Sequence, residues 1–161
     1  MVSEINLSTS LENYLEAILV LERRNRVARV KDIAEHLSVQ MPSVTGAVKN
    51  LREKGLINYE KNSFISLTPE GMQIARAIER RHSVLQCFLE NVLLVDTEQA
   101  TDIACKMEHA LDTETAEKLC NSIKYFTNEI LTRQDLSKEQ WQEILTSRRT
   151  PCTICHSWPT S

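Results

Sequence analysis

At Gly55 the spacing of the apolar residues changes from helical to alternating. Upstream, "PSVTGAVKNLREKG" reads as a helix with Pro42 at its first position, where a missing N–H is harmless, and with Gly55 closing it. Downstream, "LINYEKNSFISLT" alternates and sets Ile57 and Tyr59 against Ile65 and Leu67 across a "KNS" tip, which predicts a two-stranded hairpin. A shorter helix over about Val30 to Leu37, "VKDIAEHL", precedes the Pro42 helix across the brief "SVQM". Two short helices, a tight turn between them and a hairpin behind them make a winged helix-turn-helix, with the second helix as the reader.

Only three glycines and four prolines punctuate the 161 residues, and apolar residues elsewhere keep helical spacing, so the chain is expected to be mainly α. In the first helix Thr9 and Glu12 are expected to form a capping box, and Leu11, Tyr14, Leu15, Ile18 and Leu21 its apolar stripe. Thr68 and Pro69 open a long helix that reaches about Val92. Asp96 with Gln99 caps a helix over about 97–111, Asp112 caps one over about 113–126, and a weakly signalled helix lies near Lys138 to Thr146. The tail "SRRTPCTICHSWPTS" is expected to be mobile.

The patches "AILVL" and "NVLLV" fall far short of the ~20 apolar residues of a membrane span, so no membrane partner is expected. The opening "MVSEINLSTS" has no basic start and no apolar run, which places the chain in the cytoplasm with its five cysteines mostly reduced. A net charge of -3 conceals an asymmetry: residues 1–86 carry 12 Lys and Arg against 10 Asp and Glu, and residues 87–161 carry 7 against 12. The first half is therefore the one suited to an acidic polymer.

The Pro42 helix carries small polar residues where it begins, Ser43 and Thr45, with Gln40 just before. Such side chains let a helix N-terminus approach base edges and phosphates closely. Lys49, Arg52 and Lys54 follow, and Lys61 stands at the wing tip, each able to neutralise a phosphate. Double-stranded DNA is the partner this surface predicts.

A second chemistry sits in "CKMEH". On a helix, Cys105, Glu108 and His109 stand at i, i+3 and i+4 and share one face. His82 lies in the apolar register of the preceding long helix, four after Ile78 and three before Leu85, where an antiparallel neighbour could bring it across. Asn13 and Glu16 on the first helix are further candidates. Each residue also has a plainer reading: a satisfied core histidine, a buried thiol beside an ordinary Glu/His pair, a surface carboxylate. Taken as a metal site, two imidazoles, a thiolate and one or two carboxylates suit Fe(II), Zn(II), Co(II) or Ni(II) better than oxygen-preferring Mn(II).

Over about residues 8–127 the sequence resembles the diphtheria-toxin-repressor family, which includes iron-dependent and manganese-transport repressors of bacteria. The resemblance rests on four ordered blocks: "SLENYLEAILVL", "ARVKDIAEHLSVQMPSVTGAVKNLREKGLINYEKNSFISLTPEG", "RRHSVLQCFL" and "DIACKMEHALDTETAEKL". It implies a winged helix-turn-helix followed by an α-helical dimerisation and metal-binding domain, and a homodimer that binds palindromic operator DNA when loaded with a divalent metal, Fe(II) ahead of Mn(II), to control metal homeostasis genes. The family's metal ligands fall on His82, Cys105, Glu108 and His109, and Glu16 matches a carboxylate of the manganese branch. Asn13 stands where that branch has Asp and the iron branch Met, and Cys105 matches the iron branch, so the implied site is a hybrid. Gln86 and Thr101 occupy positions where an ancillary site of the iron branch would need Glu and His. Pro42, Ser43 and Gln40 fall where the family touches its operator. The implied domains are residues 1–72 for DNA binding, 73–135 for dimerisation and metal, and 136–161 for a final helix and a Cys-containing tail.

"CTICH", Cys152 to His156, matches a c-type haem attachment pattern, but that chemistry follows export and no signal is seen. A zinc or redox role and an unstructured tail are the other readings. A winged-helix regulator that senses an organic ligand or thiol oxidation is the alternative to metal sensing. Catalysis is not expected, because Cys105 and His109 lie four apart with no Gly-rich turn nearby to build an oxyanion hole.

Overall fold

The computed structural model describes residues 7–59, 64–131 and 136–146. The chain runs α1 (Thr9–Asn25), α2 (Val30–His36), α3 (Met41–Glu53), β1 (Ile57–Tyr59), β2 (Ile65–Leu67), α4 (Pro69–Asn91), α5 (Thr97–Met107), α6 (Thr113–Tyr125) and α7 (Lys138–Thr146). A single 3-10 turn, Glu108–Ala110, follows α5, and a π-helical stretch, Phe126–Leu131, extends α6. The mainly α, winged helix-turn-helix architecture is the one the apolar spacing predicts. Among the described residues no helix is long and apolar enough to cross a membrane.

Helix ends follow local chemistry. Thr68, Asp96 and Asp112 each accept a hydrogen bond from a backbone N–H three residues on, from Gly71, Gln99 and Thr115. The expected capping box at Thr9 does not form. Ser8 is the N-cap and accepts from the Leu11 N–H, which leaves Thr9 in the first turn and Glu12 free to bond elsewhere.

The wing pairs antiparallel with Ile57 opposite Leu67 and Tyr59 opposite Ile65, and Ala28 bridges to Ile65 from the other side. Leu15, Ile18, Leu19, Ile33, Val48 and Leu51 are among the residues that form the core under it, joined by Leu56 and Ile65. Burying such side chains contributes roughly 1.5–3 kcal/mol each before conformational entropy is counted. Gly71, in the first turn of α4, lies against the Leu56 carbonyl with no room for a β-carbon.

A second, smaller cluster joins Leu85 and Leu89 of α4 to Ala100 and Ala104 of α5. Helix α4 thus belongs to both halves, and it is tied to α1 by the Arg23–Glu79 ion pair, whose second contact spans 2.9 Å. Polar side chains gather where α1, α4 and the 3-10 turn meet. The wing tip with Lys61, and the tail with Cys152, Cys155 and His156, lie outside the described residues.

Candidate metal centre

Glu108 is the only fully buried charged side chain among the described residues. A carboxylate withdrawn from water is costly unless matched by opposite charge. Its Oε2 lies 2.7 Å from His82 Nδ1, and its Oε1 lies 3.4 Å from His109 Nε2 without a hydrogen bond. Burial pushes the Glu108 carboxyl above the usual carboxylate range, the negative charge of Glu16 adds to this, and the two histidines oppose it.

Glu16, His82 and Glu108 bring one ligand atom each to within 4.8 Å of one another. They come from α1, α4 and the 3-10 turn, so three parts of the chain converge on one point. Asn13 Oδ1, Glu108 Oε1 and His109 Nε2 are also buried with no hydrogen-bond partner, the last two 3.4 Å apart. Each keeps hydrogen-bonding capacity that the described residues do not use. The donor set of carboxylate, imidazole and amide oxygen fits a divalent first-row metal.

Of the six metal candidates named by sequence, Glu16, His82 and Glu108 form this group, His109 adjoins it with Nε2 3.4 Å from Glu108 Oε1, and Asn13 and Cys105 are not part of it. Cys105 is exposed. It remains near the site, since burial and the charges of Glu108, Glu16 and Asp102 raise its thiol pKa. Helix α5 ends at Met107 and the chain tightens into a 3-10 turn over Glu108–Ala110, where Glu108 is fully buried while Cys105, three residues earlier, is exposed.

Glu12 is the residue that sequence reading assigned elsewhere. Its Oε2 lies 2.6 Å from His109 Nδ1, and both its oxygens lie 3.4 Å from Arg81 Nη2. The available signal was its i, i+4 relation to Glu16, which puts the two carboxylates on one face of α1. Gln86 donates to Thr101 at 3.2 Å and to Glu90 at 2.9 Å, so the pair occupying the ancillary positions is spent on a hydrogen bond between α4 and α5.

The DNA candidates Gln40, Pro42, Ser43, Thr45, Lys49 and Arg52 are all exposed at the start of α3 or along it, opposite its buried face of Val44, Val48 and Leu51. Thr45 turns its hydroxyl back onto the Met41 carbonyl at 3.0 Å. Lys49 has only a 4.0 Å contact to Glu53, which leaves its charge available to a phosphate.

Residues 6–64 match the family model described as iron dependent repressor, N-terminal DNA binding domain, and residues 68–132 match iron dependent repressor, metal binding and dimerisation domain. The chain is 34% identical over 125 residues to an uncharacterized HTH-type transcriptional regulator of Methanocaldococcus jannaschii, covering 77% of this chain and 100% of that one. It is 33% identical over 131 residues to the HTH-type transcriptional regulator MntR of Bacillus subtilis, covering 81% of this chain and 92% of the other. Its fold is similar to a manganese-dependent transcriptional repressor in complex with manganese, with TM-score 0.66 and 25% identity over 71% of this chain and 53% of that one. It is also similar to the manganese regulator SloR, with TM-score 0.64 and 30% identity over 71% and 54%. The chain spans about half the length of these two solved proteins.

Proposed function

The chain belongs to the diphtheria-toxin-repressor family of iron-dependent repressors, whose members are metal-dependent transcriptional regulators and not enzymes, and from that premise we propose that it binds palindromic operator DNA as a cytoplasmic homodimer when a divalent metal is bound, and so controls metal homeostasis genes. The observation that carries this reading is the buried Glu108 carboxylate with Glu16 and His82 around it and lone pairs left over on Asn13 and His109. The ligands proposed are Glu16, His82, Glu108 and His109, with Asn13 and Cys105 completing the set.

A divalent cation, when bound, supplies the positive charge that this buried cluster lacks. Asn13 and Glu16 belong to α1, whose apolar face packs in the core of the DNA-binding half, whereas His82, Glu108 and His109 belong to the helical half. Ligands drawn from both halves hold α1 against α4, and through α1 they set the angle at which α3 is presented. The DNA-competent arrangement is favoured by as much as it holds the cation more tightly, and operator DNA must tighten cation binding by the same factor.

Fe(II) is proposed ahead of Mn(II), with Zn(II), Co(II) and Ni(II) able to bind in vitro, because Cys105 brings a soft sulfur that Mn(II) uses poorly. An anaerobic operator titration with Fe(II), Mn(II), Zn(II) or chelator tests this. Metal is expected to raise operator affinity by roughly 5–150-fold over chelator, the usual range of such coupling. Cys105→Glu is expected to move the preference toward Mn(II). Operator affinity unchanged by every metal would overturn metal sensing and favour a regulator of the same fold that answers to another signal.

Lys49 and Arg52 are proposed to contact phosphates, and Gln40, Pro42, Ser43 and Thr45 to approach the bases. Lys49→Ala and Arg52→Ala are each expected to weaken binding about equally on matched and mismatched sites and to lower the salt-dependence slope by about 1, read by fluorescence anisotropy at several salt concentrations. A change confined to one operator position would assign them to base reading instead. The homodimer reading is supported by an apolar groove of about 610 Å³ lined by Phe88, Val92, Leu119, Ile123 and Phe126 with exposed Tyr125 at its edge.

A further inference from the structure

We infer that Glu12 is a positioning residue for the metal centre, which fixes the tautomer of His109 and makes that histidine's occupancy felt by α1. The inference rests on the metal-sensing reading and adds a residue to it. Glu12 and His109 are 97 positions apart in the sequence and meet at 2.6 Å through Oε2 and Nδ1. The Glu12 side chain is 17% exposed, that of His109 8% and that of Arg81 15%, so the three form a largely dry network.

The direction of the bond follows from charge. Arg81 holds a guanidinium nitrogen 3.4 Å from both Glu12 oxygens, and a carboxylate paired with a guanidinium donor acts as acceptor. His109 then donates from Nδ1, and in that tautomer the lone pair lies on Nε2, the buried atom that has no hydrogen-bond partner. Glu12 is not itself placed as a ligand, because its oxygens are occupied by Nδ1 and Arg81 on the side of the ring away from Nε2.

A carboxylate on the far nitrogen makes a ligating imidazole more basic and locks its plane, and loss of such a partner commonly costs 10–100-fold in metal affinity. Here the carboxylate also sits on the other half of the molecule. A ring with its Nε2 lone pair engaged donates more strongly from Nδ1, which strengthens the bond that already holds α1 to the 3-10 turn. Glu12 is thus one of the links by which the ligand state of the helical half reaches the helix that supports α3.

The test compares wild type, Glu12→Gln and Glu12→Ala with Co(II) as the probe. Three quantities are read: Co(II) affinity by chelator competition, the visible absorption of the Co(II) complex, and operator affinity with saturating Co(II) against chelator. Thermal unfolding of the metal-free proteins accompanies them. Glu12→Ala is expected to lower Co(II) affinity by about 10–100-fold, to alter the Co(II) absorption, and to reduce the operator response even at saturating Co(II). Glu12→Gln retains an acceptor for Nδ1 and is expected to recover most of that affinity while its metal-free melting stays close to wild type. Wild-type Co(II) affinity, spectrum and operator response in Glu12→Ala would overturn the inference and leave metal sensing intact. So would a glutamine variant as impaired as the alanine one. A wild-type protein that binds no Co(II) would overturn both readings.

Discussion

Replacing Glu108 by glutamine is expected to abolish the metal response while leaving the metal-free protein at least as stable as the wild type. On the proposed reading the two effects separate, because Glu108 serves the cation and not the fold. Its carboxylate is fully buried, near the negative charge of Glu16, and its Oε1 has no hydrogen-bond partner. An amide of the same shape removes the buried charge and can still accept from His82 Nδ1, which now lies 2.7 Å away. Metal affinity is expected to fall by more than the 10–100-fold that loss of an outer partner costs, since Glu108 is proposed as a direct ligand. Chelator competition and a thermal melt of the metal-free protein read both sides. Unchanged metal affinity would remove Glu108 from the site, and a large loss of metal-free stability would make its role structural.

Gly71→Ala is expected to destabilise the protein by about 3 kcal/mol or more, near the upper end for overpacking, because the obstruction is backbone. An added β-carbon would overlap the Leu56 carbonyl oxygen and come within 2.9 Å of its carbon. That carbonyl cannot retreat. Its oxygen accepts from the Thr68 N–H at 3.0 Å, Thr68 Oγ1 bonds the Gly55 carbonyl at 2.9 Å and accepts from the Gly71 N–H at 3.1 Å, and Leu56 itself is buried. The turn from α3 into β1 and the start of α4 are clamped together at this point, so the wing and the long helix must both shift. A melting temperature lower by roughly 6–12 °C is the expected reading for a domain of this size. Gly46→Ala is the control: nothing lies within 4 Å of its added β-carbon, the backbone is helical, and a gain of about 0.5–1 kcal/mol is expected. Equal effects at the two glycines would show that the Leu56 contact is immaterial.

The sequence by itself determined which segments are helices, where the wing lies and which face of α3 is polar. These depend on neighbours within a few residues. Apolar spacing selects 3.6 or 2 as the period, and Thr68, Asp96 and Asp112 cap helices through bonds to residues only three positions on. Even the short last helix, Lys138–Thr146, was legible in this way. Only the tertiary structure decided how the polar residues of α1, α4 and the turn after α5 are divided among their tasks. Glu12 looked like half of a local cap, yet Ser8 took the cap, and Glu12 went to a histidine 97 positions away that no window of local sequence contains. Cys105, Glu108 and His109 looked like one helical face, yet Glu108, where α5 gives way to a 3-10 turn, is fully buried and Cys105 is exposed. Local hydrogen bonds and periodicity are properties of a segment, whereas the burial of a charge and the choice of its partner arise only when distant segments exclude water together.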